Sequence, residues 1–227
     1  MSILQFASAL GLAGLLAAAW PLYRGYRAAK VRHWAKTQGW QYQGGRMYTP
    51  HWFFVRHTEA GCAWELTSVH RQAIARETIS FTEWHSNLPN PLPGIVFCGP
   101  RPPQTLPAGG IEFGGMLIQI ALRLMVDKKL AEALSQAYEL PIGNESFQHQ
   151  FMVCGASTTA LAQRLISPQT QALLAAWPST CNPPVITYHD GQLRIRLNIH
   201  LIHPHQLRLI TDLGQTLLRD WMAHGDN

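Results

Sequence analysis

The sequence predicts an α+β fold: an N-terminal transmembrane helix followed by a soluble domain of mainly antiparallel sheet with packed helices. Three observations carry this. Ile3–Tyr23 contains no Lys, Arg, Asp or Glu. Short runs rich in β-branched and aromatic residues recur between turn-prone stretches from Trp40 onward. The last segment, from Pro204, repeats apolar residues at helical spacing.

A helix rises ~1.5 Å per residue, so ~20 residues cross a hydrocarbon core of ~30 Å. The run ILQFASALGLAGLLAAAWPLY has that length, and Gln5 and Ser8 are its clearly polar side chains. Trp20 and Tyr23 close it where aromatic rings suit the headgroup region. Arg24, Arg27, Lys30, Arg32 and Lys36 follow at once, and no acidic residue comes before Glu59. The positive-inside rule then places everything after the run in the cytoplasm. The expected organisation is a single-pass inner-membrane anchor at 1–23, a basic juxtamembrane helix at 24–38 and a cytoplasmic domain at 39–227. A cleaved signal peptide ending near Ala17-Ala18-Ala19 would carry its positive charge ahead of the apolar core, and here the charge follows it. Gly39 is the expected C-cap of the juxtamembrane helix. Tyr26, Val31 and Trp34 are expected along the membrane interface.

The formal charge of +5 and isoelectric point near 9.2 suggest a nucleic-acid binder until they are mapped. Residues 1–58 hold seven Lys/Arg and no acid, whereas 59–227 hold eleven Lys/Arg against thirteen Asp/Glu. The excess therefore belongs to the segment beside the apolar run. Attraction to anionic lipid explains it there, at ~1 kcal/mol per basic residue. A nucleic-acid partner would want a basic face on the folded domain and is not expected. Cys62, Cys98, Cys154 and Cys181 form no C-x-x-C pair and read as reduced, mostly buried thiols.

Trp40–Tyr42, Phe53–Arg56, Ala63–Val69 and Thr78–Trp84 are strand candidates. Residues 86–110 carry seven prolines and four glycines around one apolar run, Ile95–Cys98. This stretch reads as a surface connection between two halves of one domain. Gly115–Tyr138 reads as a buried helix, with a membrane-surface helix as the alternative. Phe151–Cys154 is a strand, and Ser157 or Thr158 caps a helix running to Ile166. Ser167-Pro168 opens another with Ser as N-cap and Pro at N1. Val185–His189 and Gln192–Ile199 flank Asp190-Gly191, the strongest short hairpin signal. On the second strand Leu193, Ile195 and Leu197 point inward and Arg194 and Arg196 outward. From Pro204 to about Ala223 a helix carries Leu207, Ile210, Leu213, Leu217 and Trp221 on one stripe.

Glu145-x-Phe147-x-x-x-Phe151-x-Val153, Ala160/Ala162, Leu165-Ile166-x-Pro168 and Leu173-Leu174 precede the hairpin. With Gly39-Trp40-Gln41-Tyr42, this pattern resembles a module of bacterial membrane-linked proteins of unknown function. The resemblance covers residues 39–42 and roughly 145–199. It implies architecture and no activity, because its residues are packing residues.

His200-x-x-His203-x-His205 is the one dense group of potential ligands, and three neutral imidazoles can hold zinc, copper or nickel. His203 and His205 flank Pro204, so their side chains are expected to diverge. His189 is placed to approach His200. Gly155-Ala156-Ser157-Thr158 follows a strand and opens a helix, without the Lys-Ser/Thr ending of a phosphate loop. No G-x-S-x-G, H-E-x-x-H or G-x-G-x-x-G occurs, and no cofactor is expected. The leading functional reading is a membrane-anchored cytoplasmic interaction or scaffold module whose partners are the bilayer and another protein. Its membrane surface is Arg24, Arg27, Lys30, Arg32 and Lys36, and a second binding surface is Arg194 and Arg196. The alternative is a membrane-localised metal-dependent hydrolase using His200, His203 and His205.

Overall fold

A computed structural model describes residues 23, 25–44, 51–59, 61–72, 78–101, 137–156 and 159–223. Among the described residues its centre is one antiparallel sheet of nine strands. In chain order they are β1 (Gln41–Gly44), β2 (His51–Glu59), β3 (Cys62–Gln72), β4 (Thr78–Asn87), β5 (Ile95–Pro100), β6 (Tyr138–Glu139), β7 (Phe151–Gly155), β8 (Val185–His189) and β9 (Gln192–Leu197). Across the sheet the order is β1-β2-β3-β4-β9-β8-β5-β7-β6. Among the described residues the helices are α1 (residues 25–37), α2 (Glu145–Gln150), α3 (Thr159–Leu165), α4 (Pro168–Ala175) and α5 (Pro204–Ala223).

Side chains alternate between the faces of a strand, so registered partners line up across the sheet. One such row runs Tyr42, Val55, Leu66, Trp84, Ile195, Ile186, Cys98, Val153 over eight strands. All of these except Tyr42 are buried, and Tyr42 packs against the same cluster. The expected alternation in β9 is present: Leu193, Ile195 and Leu197 are buried and Arg194 and Arg196 lie on the other face. In β5 and β7 both faces are buried, which matches their unbroken apolar runs Ile95–Cys98 and Phe151–Cys154.

The hairpin β8–β9 turns on Asp190 and Gly191, both at positive φ (44° and 89°), as a type I′ turn requires. It inserts between β4 and β5, which are neighbours in sequence. The first part of the Pro-rich stretch, Leu88–Gly94, wraps the hairpin turn on its way from β4 to β5. Leu88 N–H donates to Gly191 O (2.7 Å), Asp190 N–H to Gly94 O (3.1 Å) and Trp221 Nε1–H to Pro89 O (2.8 Å). Residues 102–110 lie outside the described residues.

Ser167 caps α4 by accepting from Thr170 N–H, with Pro168 following it, as the sequence predicts. The α5 stripe Leu207, Ile210, Leu213, Leu217 and Trp221 is buried along its length. Phe147 and Phe151 both enter the core, with ring centroids 5.3 Å apart. Two elements are additional to the sequence reading. Asn144 caps α2 through Phe147 N–H, and Tyr138, expected at the end of a helix, belongs to edge strand β6. Residues 115–136 of that expected helix, and Ser157 and Thr158, lie outside the described residues.

The expected fold class, a transmembrane helix ahead of an α+β domain, is corrected. Among the described residues no helix is long and apolar enough to cross a membrane. Of the run Ile3–Tyr23, all but Tyr23 lies outside the described residues. Helix α1, expected to continue that run along the bilayer, is a core helix of the sheet domain. Val31, Trp34 and Ala35 are 2%, 6% and 0% exposed and pack into the core cluster. Trp34 meets Trp40 edge-on at 5.1 Å, and Trp40 meets Trp64 at 4.9 Å. The apolar stripe assigned to lipid is thus satisfied by the protein's own sheet. Gly39 ends α1 as expected, at φ 73°, with Trp40 N–H reaching back to Ala35 O (2.9 Å).

Candidate functional site

At 3.6 residues per turn, the cations of α1 divide into two groups around the helix. Arg32 and Lys36 lie roughly 140° and 180° round from Arg27. Exposed Lys30, Tyr23 and Tyr26 lie roughly 40–100° to one side of Arg27, which is itself half-buried in line with Val31 and Trp34. Arg27 sits over the Tyr23 ring at 4.1 Å and Lys30 over the Tyr26 ring at 4.5 Å. Both rings are largely exposed, at 46% and 59%. Arg32 instead approaches the Tyr42 ring at 5.5 Å. Arg24 lies outside the described residues.

At the start of α5 His203 and His205 flank Pro204, and the charges of Arg27 and Lys30 on α1 reach His203. The two histidine rings, expected to diverge, come together instead, stacked with centroids 5.5 Å apart and planes 28° from parallel. His203 O accepts from Gln206 N–H and Leu207 N–H at 3.0 Å, which fixes the turn that brings the rings together. Partial burial pushes the His203 pKa below the usual imidazole value, and the charges of Arg27, His205 and Lys30 lower it further. The result is a positive corner carrying two exposed tyrosines.

His200 does not join this corner. Its Nδ1 is 2.8 Å from Ser68 Oγ, and its ring stacks on His70 at 5.8 Å. Ser68 Oγ also reaches Thr82 Oγ1 (2.9 Å) and Leu201 O (3.0 Å), and Leu201 N–H donates to Thr82 Oγ1 at 2.9 Å. These bonds tie the segment after β9 to β3 and β4. Ser68 is fully buried, so the Ser68–His200 pair is a fastening rather than an accessible nucleophile and base. His189 does not approach His200; it pairs with Gln192 at the other end of β9. No group of three or more His, Cys, Asp or Glu among the described residues is arranged to hold a metal ion. The hydrolase alternative therefore loses its ligand set.

No family model matches the chain, and no curated protein matches it. Among solved structures it is similar to the mycobacterial trehalose monomycolate transport factor A, TtfA. That likeness has 12% identity, 86% of this chain and 92% of the other covered, and a TM-score of 0.46. A likeness at that level carries no argument about function.

The second predicted surface is less open than expected. Arg196 stacks over Phe81 at 4.1 Å and pairs with Glu83, its register partner, at 3.4 Å. The side chains of the pair are only 16% and 18% exposed, so this arginine is committed within the sheet face. Arg194 donates to Gln192 Oε1 at 2.9 Å. A cleft of ≈530 Å³ opens where β2, β3 and β4 end, lined among others by His57, Trp64, His85 and the Arg56–Glu65 ion pair. Nothing in the sequence pattern marks it, because its residues come from separate strands.

Proposed function

We propose that this chain is a membrane-surface interaction module at the cytoplasmic face of the inner membrane. It meets anionic lipid through the N-terminal half of α1 and presents its sheet domain to a protein partner. The observation that carries this reading is the pairing of exposed Tyr23 and Tyr26 with Arg27 and Lys30 on one arc of α1. A tyrosine at a bilayer surface keeps its ring at headgroup depth and its hydroxyl in water, while the cation above it faces phosphate. The charge distribution supports the same reading, since the basic excess is confined to the first 58 residues.

The test is binding of the purified full chain to vesicles of phosphatidylcholine, alone or mixed with phosphatidylglycerol. The mixed vesicles should bind more tightly, by an increment that salt reduces. Replacing Arg27 and Lys30 by Gln should remove about 2 kcal/mol of that increment, at ~1 kcal/mol per cation. Replacing Arg32 and Lys36 by Gln, on the opposite arc, should remove much less. Equal losses from the two double variants would show that α1 does not use this face.

A further inference from the structure

We propose that the His203–His205 pair is a titratable second half of this surface, binding anionic phospholipid headgroups more tightly as it protonates. The inference rests on the membrane-surface reading above and adds the pH response and the residues that produce it. Two stacked imidazoles 5.5 Å apart become two adjacent cations when protonated. The groups acting on His203 are Arg27 and Lys30 from α1 and His205 from α5, and every one of them is positive or becomes so. The start of the 20-residue helix α5 adds the positive end of its dipole. An anion placed at this corner offsets all of these repulsions at once. By linkage it draws protons onto the pair and is itself held more tightly at lower pH.

The anion that fits is a lipid headgroup phosphate. Arg27 and Lys30, whose charges reach His203, stand over exposed Tyr23 and Tyr26. A soluble phosphate gains nothing from those rings, whereas a bilayer surface accommodates both ring and charge.

The experiment measures binding of the full chain to phosphatidylcholine–phosphatidylglycerol vesicles between about pH 5 and 8, the range in which imidazoles change charge. Wild-type binding should strengthen as pH falls, by roughly five-fold for each imidazolium gained. The H203Q/H205Q variant should hold the weaker, high-pH affinity throughout. If that variant does not fold, H205Q alone carries the test and should lose part of the slope. A pH slope in the variant equal to wild type overturns the proposal. Inorganic phosphate at matched ionic strength should not remove the slope; removal would make this a soluble-anion site and overturn the lipid assignment. Absence of any preference for the mixed vesicles at every pH would instead count against the underlying membrane reading.

Discussion

Gly214 of α5 lies against the indole of Trp84: a Cβ at position 214 would stand 2.3 Å from Trp84 Cε2. Trp84 is fully buried on the central strand β4, so the ring has nowhere to move. Glycine inside a helix costs about 1 kcal/mol relative to alanine. Here it lets the longest described helix reach the sheet. Gly214→Ala should therefore destabilise the domain despite its better helix propensity, because overpacking costs about 1–3 kcal/mol. Chemical denaturation of wild type and variant measures this. A more stable variant would mean that α5 stands further from the sheet.

Gly191 and Gly39 share a left-handed backbone and differ in surroundings. A Cβ at Gly191 would meet Pro91 Cβ at 2.5 Å, while nothing lies within 4 Å of one at Gly39. Gly39→Ala should cost only backbone strain, about 1 kcal/mol. Gly191→Ala should cost that strain and also dislodge the loop that clasps the hairpin turn. The two melting temperatures decide it, and a smaller loss at 191 than at 39 would contradict the clasp.

Arg196 and Arg194 alternate with the same buried residues, yet replacing them should have different effects. Arg194→Gln should change stability by less than about 0.5 kcal/mol. Arg196→Gln strands Glu83 on a mostly covered face and strips a cation from Phe81, so a loss of about 1–2 kcal/mol is expected. Recovery in the Arg196→Gln, Glu83→Gln double variant would show that the pair is coupled. Equal behaviour of the two arginines would put both in solvent.

His203 sets a pH dependence of folding whose sign follows from its depressed pKa. Below about pH 6.5 the unfolded chain takes up a proton that the folded one resists. The contribution is therefore fully present above that value and is lost as pH falls toward the lower folded pKa. Without lipid, His203→Gln should flatten the fall in melting temperature across this window. An unchanged slope would place the responsible group elsewhere.

Where local chemistry decides, the sequence was readable. Asp190-Gly191 specified its turn because few residue pairs tolerate two positive φ values. Ser167-Pro168 specified a helix start through a side-chain acceptor and a preset φ. The α5 stripe and the two faces of β9 followed from periods of 3.6 and 2. The concentration of positive charge before residue 59 is likewise a property of the chain alone.

Tertiary structure decided the rest. Val31, Trp34 and Ala35 make an apolar stripe that suits a lipid surface or a protein sheet equally, since both remove it from water. Only the position of Trp40 and Trp64 shows that the sheet receives it. The insertion of β8–β9 between β4 and β5 depends on pairings about a hundred residues apart, which no local period encodes. The histidines followed the same rule. Spacing put His200, His203 and His205 together on paper, but hydroxyls of β3 and β4 hold the segment containing His200 against the sheet. The turn into α5 then leaves His203 and His205 facing each other within reach of the charges of a helix more than 160 positions earlier, a proximity that only folding creates.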